Sequence, residues 1–169
     1  MEIDEKIDML EKNLARQLDW IRAADSKVAP IIFLTSSMLG ASAAALSRTT
    51  SITPLTLTLM LLTVIPLLAA LVCIAMASFP HFNPDTGSII FFGSVNQAGL
   101  SSFERRASEI TRDEYFRDLS AMCYNSAHIA NLKFRHVKRA MVFLLAGIVP
   151  WVTLIYDVFH SYNIAAMLR

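Results

Sequence analysis

The sequence predicts a membrane protein of the all-α class. It is expected to have three transmembrane helices, a helical N-terminal segment and a small cytoplasmic helical module that contains one short extended or β segment. The chain is 54% hydrophobic, its mean hydropathy is +0.47, and only 17% of its 169 residues are charged. An ordinary soluble domain of this size is less apolar. Three runs are long and uncharged enough to cross a bilayer as helices, and the polar remainder is too short to cover them.

The N-terminal segment, residues 1–27, is predicted to form a helix with one apolar stripe. The apolar residues recur at alternating spacings of four and three, and Gln17 takes the position that would complete the stripe. They are Ile3, Ile7, Leu10, Leu14, Ile21 and Val28. This pattern is typical of a coiled-coil seam, in which a polar residue fixes the register. It is equally typical of an amphipathic helix that lies on its own cytoplasmic domain, and the sequence leaves both open.

Three spans follow from the hydropathy pattern. The first, Val28–Leu46, has no charge and as a helix would be roughly 28 Å long, close to the ~30 Å of a bilayer core. The second, residues 55–79, is preceded by Thr53 and Pro54, which suit an N-cap and a first helical position. The third, residues 140–159, carries one acid near its far end. No span has the row of acids or lysines expected of an ion carrier.

Two features of the spans concern packing. Ser36, Gly40 and Ala44 lie at four-residue spacing, which would let another helix approach the first span closely. Pro66 and Pro150 lie near the middle of the second and third spans and predict kinks. Such kinks either belong to ordinary bundle packing or allow the helices to reorient.

The lysines and arginines predict the orientation. Five precede the first span, eight lie between the second and third, and only Arg48 and Arg169 remain for the opposite side. The positive-inside rule then places the N-terminus and residues 80–139 in the cytoplasm and the tail, residues 160–169, outside it.

The cytoplasmic module begins with turn signals at residues 83–87, followed by a β-leaning run at residues 88–92. That run predicts a short strand or extended segment, which either lies on the helices or pairs with its copy in another subunit. Phe91 and Phe92 are then either core residues or platforms that stack on a base. In the second case Gly93 would let the backbone approach a ligand.

A long helix is predicted to follow. Thr111 and Glu114 form a T-x-x-E capping box, and neither glycine nor proline occurs again until Gly147. The module and the third span are therefore expected to share one helical rod. Its core-facing stripe comprises Tyr115, Leu119, Met122 and Ile129.

A second stripe on this rod is polar. It comprises Tyr124, His128, Asn131, Arg135 and Lys138. An aromatic ring, an amide and cations on one face offer the stacking, hydrogen bonds and anion contacts that a nucleotide needs. A solvated cationic face beside anionic lipid headgroups would have the same composition.

Four motifs, taken in order, resemble the transmembrane effectors of Pycsar antiphage systems. They are "DWIRAADSKVAPIIFL" before the first span, "FP" at the end of the second, "IIFFGSV" shortly after, and "NSAHIANLKFRHVKRA" before the third. The resemblance covers roughly residues 19–140 and rests on order and spacing as well as on the motifs.

The resemblance implies a multi-pass protein of the bacterial inner membrane that takes part in antiviral defence. It would sense a cyclic pyrimidine mononucleotide, cyclic CMP or cyclic UMP, made by a partner cyclase during infection. Its response would impair membrane integrity and cause abortive infection. The alternatives are a membrane-anchored interaction module and an effector that responds to another nucleotide second messenger.

We expect the partners to be membrane lipid, the cyclic nucleotide and further copies of the chain, because three spans can hardly enclose a pore alone. No nucleic acid, cofactor or metal is expected. Catalysis is not expected either, since the four histidines lack metal-ligand spacing and neither a Ser/His/Asp set nor a glycine-rich phosphate loop is present.

A small anionic ligand near the membrane needs accessible cations, which Lys27, Lys133 and Arg135 would supply. Asp25 either pairs with a cation or accepts a hydrogen bond from a base or ribose. We hypothesise that the ligand bridges the end of the N-terminal helix to the rod and so couples binding to helix orientation. The predicted ligand-binding residues are Asp25, Ser26, Lys27, Phe91, Gly93, Tyr124, Asn125, His128, Asn131, Lys133 and Arg135.

Overall fold

The computed structural model describes residues 2–47, 49, 52–79 and 87–167, with side chains up to residue 161. Within these ranges the structure is helical and contains no strand. The helices are α1 (Ile3–Asp25), α2 (Val28–Leu46), α3 (Pro54–Ser78), α4 (Phe92–Ala98), α5 (Leu100–Glu109) and α6 (Arg112–Met167). The chain divides into two compact units. We call Met1–Ala24 with Pro80–Lys133 the polar unit, and Asp25–Phe79 with Phe134–Arg169 the apolar unit.

The apolar unit consists of α2, α3 and the later part of α6. Its core is narrow and includes Met38, Leu67 and Leu144. Large apolar side chains such as Phe33 and Val149 are exposed on the outside. A protein in water does not expose such side chains on every helix, whereas lipid accepts them. The three helices expected from the hydropathy pattern are confirmed, and each is long and apolar enough to cross a membrane.

Several polar groups in the apolar unit are hydrogen-bonded within it. The Trp151 indole Nε1–H donates to the backbone oxygen of Met38 at 3.1 Å, which joins α6 to α2. The Thr56 hydroxyl donates to Oδ2 of Asp157 at 2.7 Å, which joins α3 to α6. Thr53 caps α3 as expected, because its side chain accepts from the backbone N–H of Thr56 at 3.1 Å. Such internal bonds matter in lipid, where no water replaces them.

The small residues of α2 at four-residue spacing have different surroundings, and Ala45, next to Ala44, is buried. Ser36, Gly40 and Ala44 are exposed, and a Cβ built at Gly40 would meet no atom within 4 Å. At Gly147 of α6, in contrast, a Cβ would lie 3.2 Å from Cδ2 of Leu67 on α3. The glycine that lets two helices of this unit approach each other is therefore Gly147.

In the polar unit, α1 packs against the first half of α6. The Tyr115 hydroxyl donates to Oε1 of Glu11 at 2.8 Å, and the Cys123 thiol donates to the backbone oxygen of Leu10 at 3.3 Å. Ile7, from the predicted seam, is buried. Of the two interpretations of this stripe, the structure has the amphipathic helix that lies on its own domain.

The extended segment predicted at residues 88–92 is not observed. Oγ of Ser88 accepts from the backbone N–H groups of Ile90 and Phe91, at 3.1 and 2.9 Å. The Ile89 N–H donates to Oδ2 of Asp118 at 2.9 Å, and Phe92 already begins α4. Side-chain oxygens have taken the N–H groups that a strand would use for pairing. Of the predicted turn at residues 83–87, only residue 87 lies within the described ranges.

The capping box at the start of α6 is confirmed. The Thr111 N–H donates to Oε2 of Glu114 at 2.8 Å, and the Glu114 N–H donates to Oγ1 of Thr111 at 3.3 Å. From there α6 is one helix of 56 residues that includes Pro150.

Enlarging the two membrane glycines tests the packing of the apolar unit. We expect Gly147→Leu to lower the free energy of unfolding by roughly 1–3 kcal/mol, because the larger side chain collides with Leu67. Gly40→Leu is the matched control and should be neutral or slightly stabilising, because it gains helix propensity in open space. Thermal unfolding in detergent micelles, followed by circular dichroism, measures both. Equal destabilisation by the two variants would contradict the packing described here.

Candidate functional site

A cavity of about 750 Å³ lies wholly within the polar unit. Its walls come from α4, α5, the first turns of α6 and the segment around Gly87. Cavities of roughly 300–1,000 Å³ are typical of sites for small organic ligands. We call it the arginine pocket, after Arg105 and Arg106 of α5 and Arg117 of α6, which line it.

Among the residues that the structure describes, none of the three arginines forms an ion pair with a carboxylate. The ion pairs among the described residues join other side chains, for example Arg112 to Asp4 at 3.2 Å. A guanidinium group presents several N–H donors in a planar fork that matches phosphate and carboxylate oxygens. These donors are therefore available to an anionic ligand.

Three acids also line the pocket, and two of them already serve the backbone. Glu114 belongs to the capping box at the start of α6, and Asp118 accepts from the N–H of Ile89. The remaining acid, Glu109, is the last residue of α5. One oxygen of Glu114 and one of Asp118 thus accept hydrogen bonds from protein N–H and O–H groups and not from the arginines.

Two of the pocket arginines influence the pKa of the Glu114 carboxyl. Hydrogen bonds from the backbone and the hydroxyl of Thr111 lower the pKa of this carboxyl, and the charges of Arg106 and Arg117 lower it further. The positive charges of Arg106 on α5 and Arg117 on α6 therefore both act on a group in the pocket.

Gly87 leaves room for one arginine. Its φ is +117°, and a Cβ at this residue would lie 2.8 Å from Nη1 of Arg106. The guanidinium group thus lies close to the Gly87 backbone, and the positive φ favours a glycine at this position. The Arg106 side chain is exposed, and no ion pair joins it to a described carboxylate.

The rest of the wall includes apolar side chains, namely Ile89, Val95 and Phe103. Pockets that bind small organic ligands commonly combine apolar walls with a few polar or charged groups that orient the ligand. The arginine pocket has this combination. Among the described residues, no group of three or more His, Cys, Asp or Glu side chains is placed to hold a metal ion.

None of the predicted ligand-binding residues lines this pocket. Those in the polar unit are Phe91, Gly93, Tyr124, Asn125, His128, Asn131 and Lys133. Those in the apolar unit are Asp25, Ser26, Lys27 and Arg135. The predicted ligand bridge between the two groups stays a prediction.

The predicted residues have varied surroundings. Tyr124, His128 and Asn131 are exposed, Tyr124 by 74%, so the polar stripe does face outward. In the apolar unit, Nζ of Lys27 lies 5.6 Å from the centroid of the Phe134 ring, a cation–π contact. Asn125 is half-buried.

The two phenylalanines differ from each other. Phe92 is 80% exposed, so its interpretation as a core residue is wrong, whereas Phe91 is half-buried. A Cβ at Gly93 would lie 2.5 Å from Cε1 of Phe91. Gly93 therefore makes room for the Phe91 ring, which explains a glycine here without any ligand.

Sequence reasoning missed Arg105, Arg106 and Arg117 as site residues and used them only to predict orientation. Arg106 and Arg117 lie on different helices, so no periodic pattern connects them. Two features of the sequence could have indicated the pocket. One is Gly87 at the end of a turn-forming run, and the other is the Arg105-Arg106 pair further along the chain.

Three apolar helices of membrane length, together with a polar unit that holds the arginine pocket, define an integral membrane protein with a polar domain. A family model, PycTM, described as the Pycsar effector protein domain, matches residues 9–159. The chain therefore belongs to the Pycsar effector family and is a transmembrane effector of antiphage defence, located in a membrane. No curated protein and no solved structure matches the chain.

The lowered pKa of Glu114 gives a pH prediction for the polar unit. Because the folded pKa lies below its ordinary value of 4.5, the ionised carboxylate stabilises the fold above that pH, and this contribution is lost as the pH falls through the folded pKa. We expect Glu114→Gln to remove this part of the acid sensitivity between about pH 5 and pH 3. Thermal unfolding across that range measures it, with Glu2→Gln as a control. An unchanged acid profile in Glu114→Gln would contradict the role of the cap.

Proposed function

We propose that this effector is activated by a cyclic pyrimidine mononucleotide, cyclic CMP or cyclic UMP, made by a partner cyclase during infection. Activation impairs the integrity of the bacterial inner membrane and causes abortive infection. The observation that carries the proposal is the arginine pocket, a cavity for a small anion in the polar unit of a chain from this family. The charge distribution of the sequence supports a cytoplasmic polar unit and N-terminus and an external C-terminus.

The composition of the apolar unit supports membrane damage as the response. Between residues 140 and 159 the only charged side chain is Asp157, which accepts a hydrogen bond from Thr56, and α2 and α3 carry no charge. Proton and ion carriers need rows of ionisable residues inside the membrane. A single copy has no polar path, so the response requires several copies of the chain or a general disturbance of the bilayer.

The chemistry of the proposed ligand suits the pocket. A cyclic pyrimidine mononucleotide carries one phosphate charge, one free ribose hydroxyl and a planar base with one or two carbonyl oxygens. Guanidinium groups match the phosphate, and apolar walls such as Val95 and Phe103 match the base. To activate the effector, the ligand must bind one arrangement of the helices more tightly than the other.

Dye release from liposomes tests the proposed function. The purified chain is reconstituted into liposomes that hold a self-quenching dye, and cyclic CMP, cyclic UMP, cyclic AMP and cyclic GMP are added separately. We expect release only with the two pyrimidine nucleotides, because only the ligand shifts the helices toward the damaging arrangement.

Linear CMP and UMP serve as matched controls, since they keep the base and the phosphate but lack the cyclic ester. Release of equal rate with and without every nucleotide would contradict ligand gating. Release with only a purine cyclic nucleotide would support gating by a ligand but would show that the proposed pyrimidine ligand is wrong.

A membrane-anchored interaction module is the second candidate. It is favoured by Phe92 and Leu100, which expose large apolar surfaces on the polar unit. Stoichiometric co-purification with another chain, with liposomes left intact at every nucleotide tested, would support it over the first.

A further inference from the structure

The sequence placed the ligand on the polar stripe of α6 and at the end of α1, but the geometry of the polar unit favours a different place. The described residues of that stripe, such as Tyr124, lie exposed on a helix surface. A convex helix face surrounds a ligand on one side only, whereas binding sites for small molecules bury most of the ligand surface. The arginine pocket is a half-open cleft of about 750 Å³ with walls from several segments, so it can contact a ligand on more than one side.

The pocket also presents cations to a ligand. The Arg106 guanidinium lies close to Gly87, and the described structure gives neither Arg106 nor Arg117 an ion pair with a carboxylate. Both side chains are exposed, so binding an anion must order them, and charge-assisted hydrogen bonds to the anion offset that loss of conformational freedom. The positive φ of Gly87 favours glycine beside Arg106.

Asp118 connects the pocket to the chain segment that covers it. Its Oδ2 accepts from the N–H of Ile89, while Ile89 and Asp118 both line the cavity. A ligand that contacts Ile89 therefore also contacts the segment that Asp118 holds in place. The fold thus supplies a floor on α6, a wall on α5 and a cover at residues 87–89.

We propose that the arginine pocket, and not the polar stripe of α6, is the ligand site of this effector. Arg106 and Arg117 bind the phosphate of a small nucleotide, and Ile89, Val95 and Phe103 receive its base. The identity of the ligand rests on the proposed function, whereas the location of the site in the fold does not depend on it.

Binding of nucleotides to the full-length chain in detergent micelles, measured by isothermal titration calorimetry, tests the site. The probes are cyclic UMP, cyclic CMP, linear UMP and inorganic phosphate. We expect Arg106→Gln and Arg117→Gln each to raise the Kd for the cyclic nucleotide about tenfold or more, since each removes a charge-assisted contact. Arg135→Gln, on the predicted stripe, tests the competing site: the pocket predicts an unchanged Kd for this variant, whereas the stripe predicts a raised one.

A variant that is expected to bind more tightly makes the test independent of misfolding, because a misfolded protein would not gain affinity. Glu109 lines the pocket at the end of α5, so Glu109→Gln removes one negative charge that opposes the ligand. We expect the Kd to fall about two- to threefold. Arg106→Lys keeps the charge but not the planar fork and should bind with intermediate affinity.

The outcomes separate this inference from the proposed function. If Arg106→Gln and Arg117→Gln bind cyclic UMP as the unsubstituted chain does while Arg135→Gln does not, the pocket is wrong and the proposed function survives. If only linear UMP or inorganic phosphate binds, and binding needs Arg106, the pocket is right and the cyclic ligand is wrong. If none of the probes binds, both are wrong.

Discussion

The apolar side chains that α2, α3 and α6 turn outward constrain everything else in this molecule. Phe33, Ile65 and Val149 are largely exposed, and only lipid can cover such surfaces on all three helices at once. Lipid offers no hydrogen bonds, so the hydroxyl and indole groups of these helices bind within the unit, as Trp151 does with the oxygen of Met38. With its exterior in lipid, the membrane-spanning part of the apolar unit has few groups with which to recognise a soluble ligand. The ligand recognition proposed above is therefore better placed in the polar unit.

The parts of the polar unit differ in how many side chains they bury. The α1–α6 contact buries Ile7, Leu119 and Cys123, and it forms the core of the unit. Helix α5, in contrast, has no buried residue. Its arginines line the pocket, so a ligand between α5 and α6 would add contacts to a helix that buries no side chain of its own. A molecule that binds only the ordered form stabilises that form by mass action, which makes the α5 wall the natural place for a ligand to change the protein.

The sequence was sufficient where a feature depends on neighbouring residues. Hydropathy located α2, and the cap motifs at Thr53 and Thr111 located the starts of α3 and α6. The sequence was insufficient where a residue's contact partner lies far away in the chain. The run at residues 88–92 favours a strand by composition, but Asp118, 29 residues after Ile89, takes an N–H that pairing would need. Arg106 and Arg117 escaped notice for the same reason, because only the fold brings α5 beside α6.

The charge of the arginine pocket bears on which nucleotide it selects. Its lining has as many acids as arginines, Glu109, Glu114 and Asp118 against Arg105, Arg106 and Arg117. Two of the acids are hydrogen-bonded to the protein, yet their negative charges remain and repel a highly charged ligand. A cyclic mononucleotide carries a single negative charge, which two arginines match, whereas nucleoside triphosphates carry several and would meet the carboxylates uncompensated. If the arginine pocket is the ligand site, as proposed above, the acids that hold the cover and the cap in place also disfavour the more highly charged nucleoside triphosphates.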